Sequence, residues 1–126
     1  MSADLEAIGL AYAAAWSSHD PARVASFFAF DGSLQVNDAA TAVGRPALEA
    51  VARGFFTELP DIVVIMDGIH RDGERVIFRW TLTATSPGGN PIRVSGQENW
   101  RVDDDGLIAE SLGSFDAAEY ARQLHG

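Results

Sequence analysis

The sequence predicts an α+β fold: a curved, mostly antiparallel sheet with helices packed on its concave face around an apolar cavity. Two observations carry this. Apolar residues recur at helical spacing through most of the first half and at a period of two through the second. The strands of the second half follow one another through tight turn signals, which joins neighbours antiparallel. The cavity is a geometric expectation, because helices on a concave sheet leave space where they do not fill it.

The elements run α-α-β-α-β-β-β-β-α. In residues 3–18, Leu5, Ile8, Tyr12, Ala15 and Trp16 form one helical stripe. "SSHDPARVASFF" restarts a helix, with Asp20 as N-cap and Pro21 at the first position. "DGSLQVND" is a short strand with Leu34, Val36 and Asp38 on one face. "GRPALEAVARGFFTEL" is a third helix. "DIVVIMDGIHR" and "ERVIFRWTLTAT" are strands joined by a hairpin at Asp72–Gly73, with Val76, Phe78, Trp80 and Leu82 facing in. "IRVSGQENWRV" and "LIAESLGSF" are the last two strands. Asp116 followed by Glu119 caps the closing helix "DAAEYARQL".

The 126 residues suit a single domain, 1–126, large enough to bury a core. There is no Cys, and all nine basic residues are Arg, which excludes a thiol nucleophile, thiolate zinc and Schiff-base chemistry. His19, His70 and His125 have no ligand-like spacing, so no metal is expected. A net charge of −9 argues against nucleic acid and anionic membranes as partners. No apolar run reaches the length of a membrane span. The first twenty residues carry acids where a signal peptide carries bases, so the expectation is a mature cytoplasmic chain.

One residue breaks the pattern of "IRVSGQENWRV". Ile92, Val94, Gly96, Glu98, Trp100 and Val102 share a face, and Glu98 alone among them is charged. A carboxyl group on an apolar face has a raised pKa and suits proton transfer near neutral pH. It equally suits a structural acid bonded to an internal Tyr or Arg. Tyr12 on the first helix needs a partner for its phenol if buried, and with Glu98 it makes a converging pair of hydrogen-bond donors. Asp38 is either a second inward carboxylate or the start of a turn. Trp16, Phe28, Phe56, Phe78, Trp80 and Trp100 are candidate walls of an apolar pocket, with core packing the alternative for each.

"YAAAWSSHDPARVASFFAFDGSLQV", "GRPALEAV", "DGERVIFRWTLTAT" and "ENWRVDDDGLIAESLGSFD" together resemble the nuclear-transport-factor-2-like superfamily, and within it the SnoaL-like polyketide cyclases and ketosteroid isomerases. The resemblance spans nearly the whole chain. It implies a helical cone on a curved sheet, a deep apolar cavity and a homodimer through the sheet. It also implies cofactor-independent proton transfer on a small apolar cyclic or polyketide-like carbonyl compound, or a non-catalytic binding or dimerisation module on the same fold. In the isomerase pattern "YAAAWSSHD" places Tyr12 and "ENWR" places Glu98 at the two donor positions. An ungapped match puts Val36 at the position of the base, and a two-residue shift puts Asp38 there. The cyclases use a late-strand acid as general acid/base, a role Glu98 also matches. The epoxide hydrolases of this superfamily need an Asp two residues after a strand Arg, where this chain has Arg79 and Thr81.

Overall fold

A computed structural model describes residues 2–125. The terminal residues 1 and 126 of the predicted domain lie outside the described residues. The order is α1 (Ser2–Ser17), α2 (Pro21–Ala25), β1 (Phe28–Val36), β2 (Ala42–Val43), α3 (Arg45–Glu58), β3 (Val63–Asp72), β4 (Arg75–Thr85), β5 (Pro91–Val102), β6 (Ile108–Phe115) and α4 (Ala117–His125). The α+β class and the helix-covered, curved sheet follow the sequence expectation. Three details differ from it. The second helix ends at Ala25, with the Ser26 hydroxyl donating to the Arg23 carbonyl, so Phe28 opens β1 instead of closing a helix. A two-residue edge strand, β2, pairs with β1. The sheet order is β2-β1-β6-β5-β4-β3, so β1 runs parallel to β6 and the last strand lies between the first and the fifth.

That parallel pair closes the chain's two halves on each other, which consecutive hairpins alone would not do. The antiparallel run β3–β6 is joined by turns with glycine at positive φ, Gly73, Gly89 and Gly106. Asp103 stabilises the last turn by accepting from the backbone N–H of Asp105 and of Leu107. Asp20 caps α2 through the N–H groups of Ala22 and Arg23, and Asp116 caps α4 through that of Glu119.

The inward residues of the sheet alternate as the period predicts: Val76, Phe78 and Leu82 from β4, and Ile92, Val94, Glu98 and Trp100 from β5, are all buried. Tyr12, Ala13, Ala15 and Trp16 of α1 pack onto them. Gly9 sets how closely α1 approaches the sheet, because a Cβ there would lie 2.5 Å from Met66 Sδ. A register shift between Met66 and Gly68 in β3 breaks the alternation on that strand. Asp67 at the shift is exposed and accepts a 2.6 Å hydrogen bond from Thr81.

Candidate functional site

Glu98 sits mid-strand on β5, opposite Phe78 of β4 and Gly113 of β6. It is 8% exposed, against an apolar background. Its Oε1 accepts three hydrogen bonds: from Ser111 Oγ at 2.7 Å, Tyr12 OH at 2.9 Å and Trp100 Nε1 at 3.0 Å. Its Oε2 is served, among the described residues, by the longer branch of the Tyr12 bond at 3.1 Å. The two oxygens therefore differ. Oε1 is saturated, and Oε2 keeps lone-pair capacity for a further partner.

Each donor arrives for a local reason. Trp100 is two residues along the same strand and so shares the face of Glu98. Ser111 pairs with Trp100 across β5–β6. Tyr12 comes from the inward stripe of α1 and is held edge-on by Trp100 and Phe78, at ring-centroid distances of 5.1 and 5.3 Å. Phe78 and Trp100 stack at 12°, forming the wall behind the carboxyl group.

Burial pushes the Glu98 carboxyl above its ordinary value, and the bonds from Trp100, Ser111 and Tyr12 draw it part of the way back. Tyr12 is raised well above the usual phenol value, first by burial and then by the charge of Glu98. The phenol therefore stays protonated, and its single proton is committed to Glu98.

Glu98 opens onto a cavity of about 70 Å³. That is several times the roughly 10–15 Å³ one water molecule needs. Three of the six predicted aromatic walls line it: Trp16, Phe78 and Trp80. Phe28 and Trp100 are fully buried behind the lining, and Phe56 packs on Trp16 at 5.7 Å. The predicted pocket walls Phe28, Phe56 and Trp100 are thus packing residues around the cavity, and Trp100 acts on it through its N–H. Phe55, Phe115 and Tyr120 complete the aromatic lining. Phe115 and Tyr120 were not predicted as walls: Phe115 reaches the cavity from the end of β6, where it pairs with Gly96 of β5, and Tyr120 from α4, which packs beside it. Ser111 was missed for a similar reason: a serine in a strand becomes a buried donor only when the register is known.

Asp38 does not join this group. β1 ends at Val36, Asn37 takes a positive φ of 51°, and Asp38 follows it exposed in the turn. The alternation that would have aimed Asp38 inward stops before reaching it. Val36, at the ungapped position, lines the cavity. The lining holds no Arg, Lys or His. Among the described residues no group of three or more His, Asp or Glu is placed to hold a metal ion, and no helix is long and apolar enough to cross a membrane.

A helical cone on a curved sheet, with one buried acid at the head of an aromatic cavity, defines a ketosteroid isomerase-like or NTF2-like architecture. Residues 10–111 match the family described as the SnoaL-like domain, and the chain belongs to that family. Solved structures carry the same fold. A hypothetical protein with ketosteroid isomerase-like fold from Catenulispora acidiphila DSM 44928, in complex with trimethylamine, superposes with a TM-score of 0.83 at 20% identity, covering 94% of this chain and 92% of that one. An NTF2-like protein of unknown function from Burkholderia pseudomallei K96243 gives 0.84 at 22% identity, covering 100% of both chains. TerC, co-crystallised with polyporic acid, gives 0.84 at 17% identity, covering 96% and 98%. At these identities the likeness is one of fold. No curated protein matches the chain.

Proposed function

We propose that this protein binds a small, mostly apolar carbonyl compound and moves a proton beside the carbonyl group, as a cofactor-independent isomerase or cyclase. The observation that carries the reading is Glu98: a buried carboxyl group with a raised pKa, one saturated oxygen and one receptive oxygen, at an otherwise apolar cavity. In the ionised form, Oε2 takes a proton from the carbon next to the carbonyl. The C–H electron pair moves into the adjacent C–C bond, and the carbonyl π electrons move onto its oxygen. Glu98 then returns the proton to a different carbon, or the enolate carbon attacks a second carbonyl of the same molecule, whose π electrons move onto its oxygen, and that alkoxide takes the proton back from Glu98. A carboxyl pKa raised toward that of the enol brings the proton transfer closer to balance. Tyr12, Trp100 and Ser111 are positioning residues, because their donors are used on Glu98 itself. Asp38, exposed in its turn, has no part in this scheme.

The test is conversion of 3-cyclohexenone to 2-cyclohexenone followed by proton NMR. Turnover that falls about 10²–10⁴-fold in Glu98→Gln supports the proposal. Turnover that survives the substitution sinks it.

A second reading keeps the cavity and drops the chemistry. It is favoured by the three donors that tie down Oε1, an arrangement that also suits a structural acid. The protein would then be a small-molecule-binding module, as the trimethylamine held by the Catenulispora protein illustrates for this fold. Ligand binding without turnover of any enolisable ketone is its signature. On either reading we place a homodimer on the outer sheet face, where Val63, Ile65 and Leu112 are 46%, 49% and 42% exposed. Sedimentation at micromolar concentration checks this, and a monomer refutes it. The reading as one domain and the cytoplasmic location stay part of the proposal.

A further inference from the structure

The inner face of β6 carries Ser111, Gly113 and Phe115 in alternation. Ser111 bonds Glu98 and Phe115 lines the cavity, so a side chain at 113 would project between them. Gly113 lies directly opposite Glu98 across β5–β6, and such a pair presents its side chains on one face. Glycine weakens a strand interior, where it marks a bulge, a tight bend or a close approach to the backbone. No local cause applies at Gly113. The register runs unbroken through it on both sides, to Glu98 of β5 and to Val36 of β1. Its φ is not positive. The other strand glycines among the described residues have a steric cause. A Cβ at Gly32 would lie 2.8 Å from the Ile108 carbonyl oxygen, one at Gly68 would strike the Arg79 guanidinium, and one at Gly96 the Ser114 carbonyl oxygen. At Gly113 the nearest atoms are the Gln35 carbonyl oxygen at 3.5 Å, Glu98 Cγ at 3.7 Å and the Gln97 carbonyl oxygen at 4.0 Å, all ordinary contacts. The protein has room for a methyl group here and leaves the space to the cavity, which Gly113 lines.

We infer that Gly113 is a specificity-determining residue: the side-chain space it leaves empty beside Glu98 is filled by the end of the ligand that meets the carboxyl group. This rests on the proposed carbonyl ligand and deepens that reading by naming what selects it. Alanine at 113 would strengthen the strand and close the space, so the glycine gives up stability in exchange for access. The dimensions narrow the class. The space is one carbon deep beside Glu98 Cγ, and a branch on that carbon would meet the Gln35 and Gln97 carbonyl oxygens. The remaining cavity of about 70 Å³, walled by Phe78, Trp80 and Phe115, takes the apolar body. The ligand is therefore a single-ring ketone that presents an unsubstituted ring methylene to Glu98.

The experiment compares Gly113→Ala with the wild-type chain, using cyclohexanone and cyclopentanone as probes. The two ketones differ by one methylene, about the bulk of the added methyl group. Binding is followed by amide shifts in ¹H–¹⁵N NMR and stability by thermal melts. Gly113→Ala should melt no lower than the wild type, because the methyl group enters free space and a strand glycine is removed. It should weaken cyclohexanone about threefold to tenfold and leave cyclopentanone within about twofold. Gly54→Ala, exposed on α3, should change neither. The combination of unharmed stability and size-selective loss is the signature, since a glycine needed by the fold would lose stability instead. The inference is overturned if Gly113→Ala melts well below the wild type, because the space was then not free. It is equally overturned if both ketones bind Gly113→Ala as they bind the wild type, if both weaken alike, if Gly54→Ala discriminates between them as strongly, or if neither binds the wild type. Glu98→Gln separates the two proposals. Size-selective loss in Gly113→Ala without Glu98-dependent turnover of 3-cyclohexenone keeps this inference and removes proton transfer. Glu98-dependent turnover that Gly113→Ala leaves unchanged does the reverse.

Discussion

The Tyr12 hydroxyl on the first helix donates a hydrogen bond to Glu98 on the fifth strand, 86 residues along the chain. This bond ties the helical layer to the sheet at the head of the cavity. It also means that the phenol acts on the carboxyl group and has no proton left for a ligand. The consequences can be measured.

The site should make stability depend on pH in a stated direction. Burial raises Glu98 above its ordinary 4.5, so the folded chain keeps a proton that the unfolded chain has released. Its contribution is full below that value and declines as pH rises through the folded-state pKa. Glu98→Gln removes this titration and keeps an acceptor at the Oε1 position. In urea unfolding between about pH 4 and about pH 9, the variant should gain on the wild type as pH rises. A difference that does not change with pH would show an unperturbed carboxyl group.

Ser111→Ala tests the donor set. Ser111 makes the shortest of the three bonds to Oε1, and that bond favours the charged form. Its loss should raise the Glu98 pKa further, read by ¹³C NMR of the side-chain carboxyl. It should also cost about 1–3 kcal/mol of stability at neutral pH. If turnover depends on ionised Glu98, the acid limb of its pH profile moves to higher pH with it.

Two glycines predict opposite signs. A Cβ at Gly96 would lie 2.4 Å from the Ser114 carbonyl oxygen and 2.6 Å from the Trp80 ring. Gly96→Ala must therefore displace backbone or a cavity wall and should cost about 1–3 kcal/mol. Gly54, exposed within α3, has nothing within 4 Å of the same added atom. Gly54→Ala should stabilise by about 0.5–1 kcal/mol through helix propensity alone. Thermal melts of the two variants decide both.

Tyr120→Phe probes how α4 is held over the cavity. The Tyr120 hydroxyl donates to Glu58 at the end of α3, and α4 has no fully buried residue. A second tie is Gln123, whose side chain bonds both the N–H and the carbonyl of Arg93. Removing the hydroxyl should cost about 0.5–1.5 kcal/mol. Amide exchange should quicken in α4 and stay slow in β5. Uniform protection would mean that the Tyr120 bond does not hold the helix.

Much of this was legible in the residues. The switch from helical spacing to a period of two marked the α+β class. The alternation of "IRVSGQENWRV" put Glu98 on the inner face, and the stripe of α1 put Tyr12 there. Other features were not legible. The same alternation applied to "SLQVND" aimed Asp38 inward, and it failed because Asn37 turns the chain first. Asp67 alternates with Val63 and Ile65 on the exposed face of β3, and only the register of β4 shows that Thr81 donates to it there.

The division has one physical cause. Local sequence determines periodicity, caps and turns, because these depend on a residue's own backbone and its near neighbours. It therefore determined the element order and which side of the sheet Glu98 occupies. What touches Glu98 depends on contacts between residues far apart in the chain. Only the packed structure decided that Trp100 and Ser111 join Tyr12 on one oxygen, that β6 lies beside β1, and that Tyr120 closes the cavity.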